Sequence, residues 1–115
     1  MPIFKADFHT HTLLSPCGDL NMTPENIINE AVQNGIDIIG ITDHNATRHC
    51  RLAVHYAQNR NIFVLCGAEV TTQEEAHCLA FFSNFEKLDA FQSFIEAHLP
   101  DIPLEKIPAT WRCPA

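Results

Sequence analysis

The segment Asp7-Phe8-His9-Thr10-His11 sets two imidazoles one residue apart in a stretch that reads as extended chain. Side chains alternate across a strand, so residues i and i+2 share a face, and neutral imidazole is the commonest protein ligand for zinc and similar divalent ions. The pair is therefore a two-pronged metal clamp wherever the rest of the chain adds further ligands. Taken alone, it is matched as well by chance pairs and surface histidines, and the structural context has to decide.

Three further segments supply that context, each placing an acid or an imidazole near the end of a short apolar run. In Ile38-Ile39-Gly40-Ile41-Thr42-Asp43-His44-Asn45 a β-branched run bounded by polar residues reads as a buried strand. Its C-terminal tip presents Asp43 and His44, where open α/β sheets and barrels put their chemistry. In Ile62-Phe63-Val64-Leu65-Cys66-Gly67-Ala68-Glu69-Val70-Thr71 the carboxylate of Glu69 interrupts an otherwise apolar strand. Such a group is costly unless it is paired or holds a cation. Ala76-His77-Cys78-Leu79-Ala80-Phe81-Phe82 is a further strand, with His77 at its start. A single buried His or Asp is more often a hydrogen-bonded structural group than a ligand, but four such placements are harder to dismiss. His55 and His98, two more of the seven histidines, fall in helical stretches with no acidic or imidazole neighbour and read as packing or surface residues.

The elements that must position these residues alternate. After the His9-His11 strand, Thr23 is suited to cap a helix with Pro24 at its first position, and Ile27, Ile28, Ala31 and Val32 repeat on one face as far as Asn34, before Gly35. A strand over 36–42 precedes a helix over about 47–59, a strand over 62–71 follows, and His77 opens a fourth. An amphipathic helix is predicted over 88–99, carrying Phe91, Phe94, Ile95 and Leu99. Alternating β and α units of this length imply an α/β domain with parallel strands and right-handed crossovers. Four of the seven prolines lie in the irregular tail 100–115, where Trp111 is the only tryptophan and could cap an open core or anchor a partner chain.

The series Asp7-Phe8-His9-Thr10-His11-Thr12, Thr42-Asp43-His44-Asn45, Gly67-Ala68-Glu69-Val70 and Glu75-Ala76-His77 resembles the polymerase and histidinol phosphatase (PHP) family in order, spacing and strand placement. The resemblance extends to about residue 99. It implies a distorted TIM-like (β/α)7 barrel with outer helices, and a cluster of two or three divalent metals (zinc, manganese or iron) that hydrolyses phosphoesters through a metal-activated hydroxide. Carried over by position, His9 and His11 would hold one metal with Glu69. Glu69 would bridge to a second metal that also takes His77, and His44 would belong to a third. Glu69, His44 and Asp43 are thereby the candidate catalytic groups, Asp43 more as an orienter of imidazoles than as a ligand.

The family places a further ligand seven or eight residues after the first histidine, where this chain has Pro16 and Cys17, with Asp19 two residues on. Cys17 as thiolate or Asp19 as carboxylate could serve, and a loop cysteine with no metal role fits as well. Arg48 and His49 could contact a substrate phosphate or simply be solvated helix-start residues. The family's domains also continue further and supply a late histidine and an Asp-x-His pair that this sequence lacks. Only about four parallel strands and three helices, the first half of the barrel, are expected here, with an edge open to pairing. Three explanations suit that: a fragment, a frame lost after residue 99, or two chains completing one another.

Composition narrows the function classes. A formal charge of −7 with seven Lys and Arg and no basic cluster argues against extended duplex binding. A small phosphorylated substrate or a nucleic-acid end remains compatible. Five cysteines without Cys-x-x-Cys spacing make neither a zinc finger nor a disulfide framework, and Cys66 and Cys78 are expected as reduced core residues of a cytoplasmic protein. No apolar run approaches the roughly 20 residues of a membrane span. Two further expectations stand beside the phosphoesterase: a catalytically inactive metal-binding domain, and an accessory domain of a nucleic-acid enzyme.

Overall fold

The computed structural model describes residues 2–14 and 20–98. Strand β1 (Ala6–Thr10) leads to helix α1 (Pro24–Gln33), which begins where the sequence places it. The Thr23 hydroxyl accepts a hydrogen bond from the Asn26 amide, and Pro24, with no amide hydrogen to lose, occupies the first turn. Strand β2 (Ile38–His44), helix α2 (Cys50–Ala57), strand β3 (Phe63–Thr71), strand β4 (His77–Phe82) and helix α3 (Phe85–His98) follow.

The four strands form one sheet in the order β1-β2-β3-β4. The first three are parallel, whereas β4 runs antiparallel to β3, which corrects the expectation of four parallel strands. The physical reason is the link between them: five residues, 72–76, turn the chain through Thr72 and Glu75, and a parallel return needs a crossover of a dozen residues or more. The barrel is not closed, because β1 and β4 remain at opposite edges of the sheet.

Register divides the sheet into two unlike faces. On one, Ile39, Ile41 and Cys66 pack with Ile27, Ile28 and Ala31 of α1, Ala53 and Ala57 of α2, and Leu88 of α3. Helix α3 is tied to the start of α2 by ion pairs from Arg48 to Glu96 and from Arg51 to Asp89, and by Gln92, whose side-chain oxygen accepts from both the amide and the hydroxyl of Thr47. The other face, built on the positions Ile38↔Phe63, Gly40↔Leu65, Thr42↔Gly67 and His44↔Glu69, carries the site. It also leaves large apolar side chains uncovered among the described residues, with Phe8 50%, Phe63 63%, Leu79 41% and Phe81 36% exposed. Cys50 and Cys66 are buried free thiols, while Cys78 is exposed rather than in the core as expected.

Two glycines let strands approach closely where it matters for the site. Between the pairs Asp7↔Ile39 and Thr10↔Ile41, strand β1 holds one residue more than β2, a bulge opposite Gly40. A Cβ at Gly40 would lie 2.6 Å from the Phe8 carbonyl oxygen, so the bulge that sets His9 depends on a residue with no side chain. At Gly67 a Cβ would meet the Ala80 carbonyl oxygen at 1.9 Å and force β4, with His77, away from β3. Gly40→Ala is therefore expected to keep the secondary structure but displace His9, weakening metal binding by about tenfold or more. Calorimetric titration checks this, and an affinity equal to the parent's would refute it.

Candidate metal centre

Five side chains from four strands and one strand end converge on the open face. Glu69 is paired in register with His44 across β2 and β3, so both side chains rise from the same side of the sheet. His77 is paired with Thr71, two residues on from Glu69, and is thus its diagonal neighbour across β3 and β4. His9 lies within the bulge of β1, and His11 just beyond the end of the strand.

Glu69 is the hub. It is 6% exposed, and its Oε1 lies 3.0 Å from His9 Nε2 and 4.0 Å from His77 Nδ1, while its Oε2 lies 2.9 Å from His44 Nε2 and 3.6 Å from His11 Nε2. The Nε2 atoms of His9 and His11 are 3.0 Å apart, and the His11 and His44 rings stack with centroids 4.6 Å apart. Among the described residues, two groups of three potential ligands result, His9-His11-Glu69 and His44-Glu69-His77, with the donor atoms of each within 4.8 Å of one another. Glu69 belongs to both, the arrangement of a bridging carboxylate. His44, expected at a third metal, also lies beside Glu69 and His77.

This donor set fits divalent cations. Four imidazoles turned toward one buried carboxylate offer mixed nitrogen and oxygen ligation, which suits zinc, manganese or iron better than an all-oxygen magnesium site. His9 and His77 keep the centre open to solvent, with 49% and 38% of their side chains exposed. Burial and the neighbouring His44 hold His11 below its ordinary pKa of 6.5, although Glu69 opposes the shift. His44 is held low by burial, which outweighs the same carboxylate. Both are thereby biased toward the neutral form that ligates metal.

Folded-state pKa values depressed below the unfolded value of about 6.5 mean that the unfolded chain takes up protons first as pH falls, so the metal-free fold loses stability from about pH 6.5 downward and gains none above it. The urea midpoint of the metal-free protein is expected to be level between about pH 8 and 7 and to fall between about 6.5 and 5.5, before most carboxylates titrate. A midpoint rising through that window would contradict the depressed values.

The remaining candidates sort by place. Asp43 is buried and sits outside both ligand groups, with Oδ1 accepting from the Thr12 amide and Oδ2 from the Thr12 hydroxyl, each at 2.6 Å. His49 Nδ1 lies 3.0 Å from the same hydroxyl oxygen. Arg48 is exposed and paired with Glu96. His55 packs edge-on against Tyr56, and His98 stacks on Phe94, both away from the cluster. Cys17, Asp19 and the tail with Trp111 lie outside the described residues. Two residues not singled out from sequence support the site. Thr12 is one. Asn45 is the other: at φ +50°, its amide donates to the Glu69 carbonyl and its side-chain oxygen accepts from the Thr71 amide. An asparagine directly after His44 is the sequence signal for that left-handed turn.

Known proteins resemble this chain to a measurable degree. An uncharacterized protein of Methanocaldococcus jannaschii is 33% identical over 78 residues, covering 61% of this chain and 46% of that protein. The crystal structure of a protein described as a "putative metal-dependent phosphoesterase" from Bifidobacterium adolescentis superposes with a TM-score of 0.64 at 25% identity, covering 84% of this chain and 33% of that one. The chain thus spans under half of the first and a third of the second. No helix among the described residues is long and apolar enough to cross a membrane. With the PHP domain model matching residues 7–102, nearly all of the strands, helices and ligand groups described above, the chain belongs to the PHP domain family.

Proposed function

We propose that this chain carries the Glu69-bridged centre of a metal-dependent phosphoesterase. The observation that carries the reading is that one buried carboxylate, Glu69, is shared by two imidazole groups, since a bridging carboxylate is what holds two cations close together. A pair of divalent ions, when bound, supplies Lewis-acid stabilisation of both the attacking and the leaving oxygen of a phosphoester and lowers the pKa of a water to near neutrality. His9, His11, His44 and His77 would hold those ions, Glu69 would bridge them, and Asp43 would orient rather than ligate. The open side at His9 and His77 would admit the substrate, with His49 and Arg48 as candidate phosphate contacts. Arg48 would have to leave Glu96 to make one. The chain's net charge of −7 favours a small phosphorylated substrate or a nucleic-acid end over an extended duplex.

In this reading the sheet is the first part of a distorted (β/α)7 barrel, and the uncovered face bearing Phe8, Phe63, Leu79 and Phe81 is where further strands close over it, from a second copy or from a longer chain. Support comes from the exposed apolar surface and from the one-third coverage of the solved neighbour. Nitrophenyl phosphate monoesters and diesters, assayed with zinc, manganese or iron(II) and with chelator, test the activity. Metal-dependent hydrolysis abolished by chelator is expected. Tight metal binding without hydrolysis of either ester would favour the catalytically inactive metal-binding domain instead.

A further inference from the structure

Thr12 is fully buried, 0% exposed, and its hydroxyl is engaged three times. Its single proton goes to Asp43 Oδ2 at 2.6 Å, so the two remaining contacts, from the Leu14 amide at 3.2 Å and His49 Nδ1 at 3.0 Å, must both be donated to its oxygen. That assignment makes the neutral His49 ring protonated at Nδ1 and leaves the lone pair on Nε2. The Thr12 amide also donates to Asp43 Oδ1, so one carboxylate grips both the main chain and the side chain of one residue. The consequence lies next door along the chain. Thr12 follows His11, a member of the first ligand group, and Asp43 precedes His44, a member of the second.

We infer that Thr12 is the positioning residue of the centre: locked to Asp43 and His49, it fixes the strand end carrying His11 against the strand end carrying His44 and so sets the spacing of the two ligand groups. The inference rests on the metal-centre reading for its purpose but not for its geometry. Three observations support it together. Beyond the last β1 to β2 pair, Thr10↔Ile41, the clamp joins the two strand ends through hydrogen bonds of 2.6 Å, shorter than the 3.4 Å contact of the Thr42 hydroxyl with the Thr10 carbonyl. The His11 and His44 rings that flank it are stacked at an interplanar angle of 18°. Asp43 and Thr12 are both almost wholly buried, so the hydrogen bonds between them are shielded from water.

Thr12→Val keeps the shape of the side chain and removes the hydroxyl. Two readouts decide the matter, imidazole nitrogen NMR on the metal-free protein and cobalt(II) titration followed by visible absorption. In the parent, His49 is expected in the Nδ1-protonated form. In Thr12→Val that form is expected to be lost, cobalt affinity to fall about tenfold or more, and the cobalt spectrum to shift, with Thr12→Ser restoring all three. Cobalt affinity within twofold of the parent and an unchanged spectrum, or a parent His49 protonated at Nε2, would overturn the inference. Should Thr12→Val fail to fold, His49→Phe leaves the Asp43 contacts intact and must still shift the cobalt spectrum, and an unchanged spectrum counts equally against the clamp. A parent that binds no cobalt refutes the metal reading, while the His49 protonation state still decides the clamp.

Discussion

Glu69→Gln is expected to lower metal affinity by more than about a hundredfold, beyond the upper end of what losing a supporting partner of a ligand costs. The amide has nearly the shape of the carboxylate but no charge, and only one oxygen to offer. Both candidate ligand groups lose their shared member at once, because Glu69 belongs to each of them. Where two bound ions supply several kcal/mol of transition-state stabilisation, hydrolysis should fall by about a thousandfold or more. The metal-free fold should change little by comparison, since an uncharged side chain replaces a buried charged one of the same size. His44 should become harder to protonate, as Glu69 opposes its depressed pKa more strongly than Asp43 does. Metal titration and thermal melting of the variant separate these effects. A variant that binds two ions as tightly as the parent would remove Glu69 from the centre.

Chelation is expected to produce the second large effect, on stability. The candidate ligands come from four strands and lie on a sheet face that is otherwise partly uncovered, so cations bound in both groups would tie β1, β2, β3 and β4 together. A ligand present at about a thousand times its dissociation constant adds roughly 4 kcal/mol to the folded state. For a domain of about 100 residues, 1 kcal/mol moves the melting temperature by at least roughly 4 °C, which puts the shift on metal removal near 15 °C. Calorimetry with and without chelator measures it. A melting temperature that moves by less than about 2 °C would mean that no cation is bound to the folded chain with useful affinity.

How much of this was legible in the residues themselves follows from the range of the interactions involved. The start of α1 was, because Thr23 and Pro24 act on amides a few residues away. As candidate ligands, His9, His11, Glu69 and His77 were, because the i, i+2 spacing and an acid inside an apolar strand are local signals. The placement of His44 in one group with His77 was not, since it depends on the His44↔Glu69 register between strands far apart in the chain. Thr12 escaped notice for the same reason, with partners 31 and 37 residues away. The antiparallel direction of β4 carried a signal that outweighs strand alternation: residues 72–76 are too few for a crossover. The strand bulge at His9 shows only when Gly40 is set against Phe8 across the sheet.

The central claim is that Glu69 bridges two cations, and anomalous X-ray diffraction from crystals of the metal-loaded protein, recorded at the absorption edge of the bound metal, tests it most directly. The account predicts two peaks roughly 3.5 to 4 Å apart, one beside His9 and His11, the other beside His44 and His77, with the Glu69 carboxylate between them. A single peak that Glu69 does not touch, or none at this face of the sheet, would contradict it.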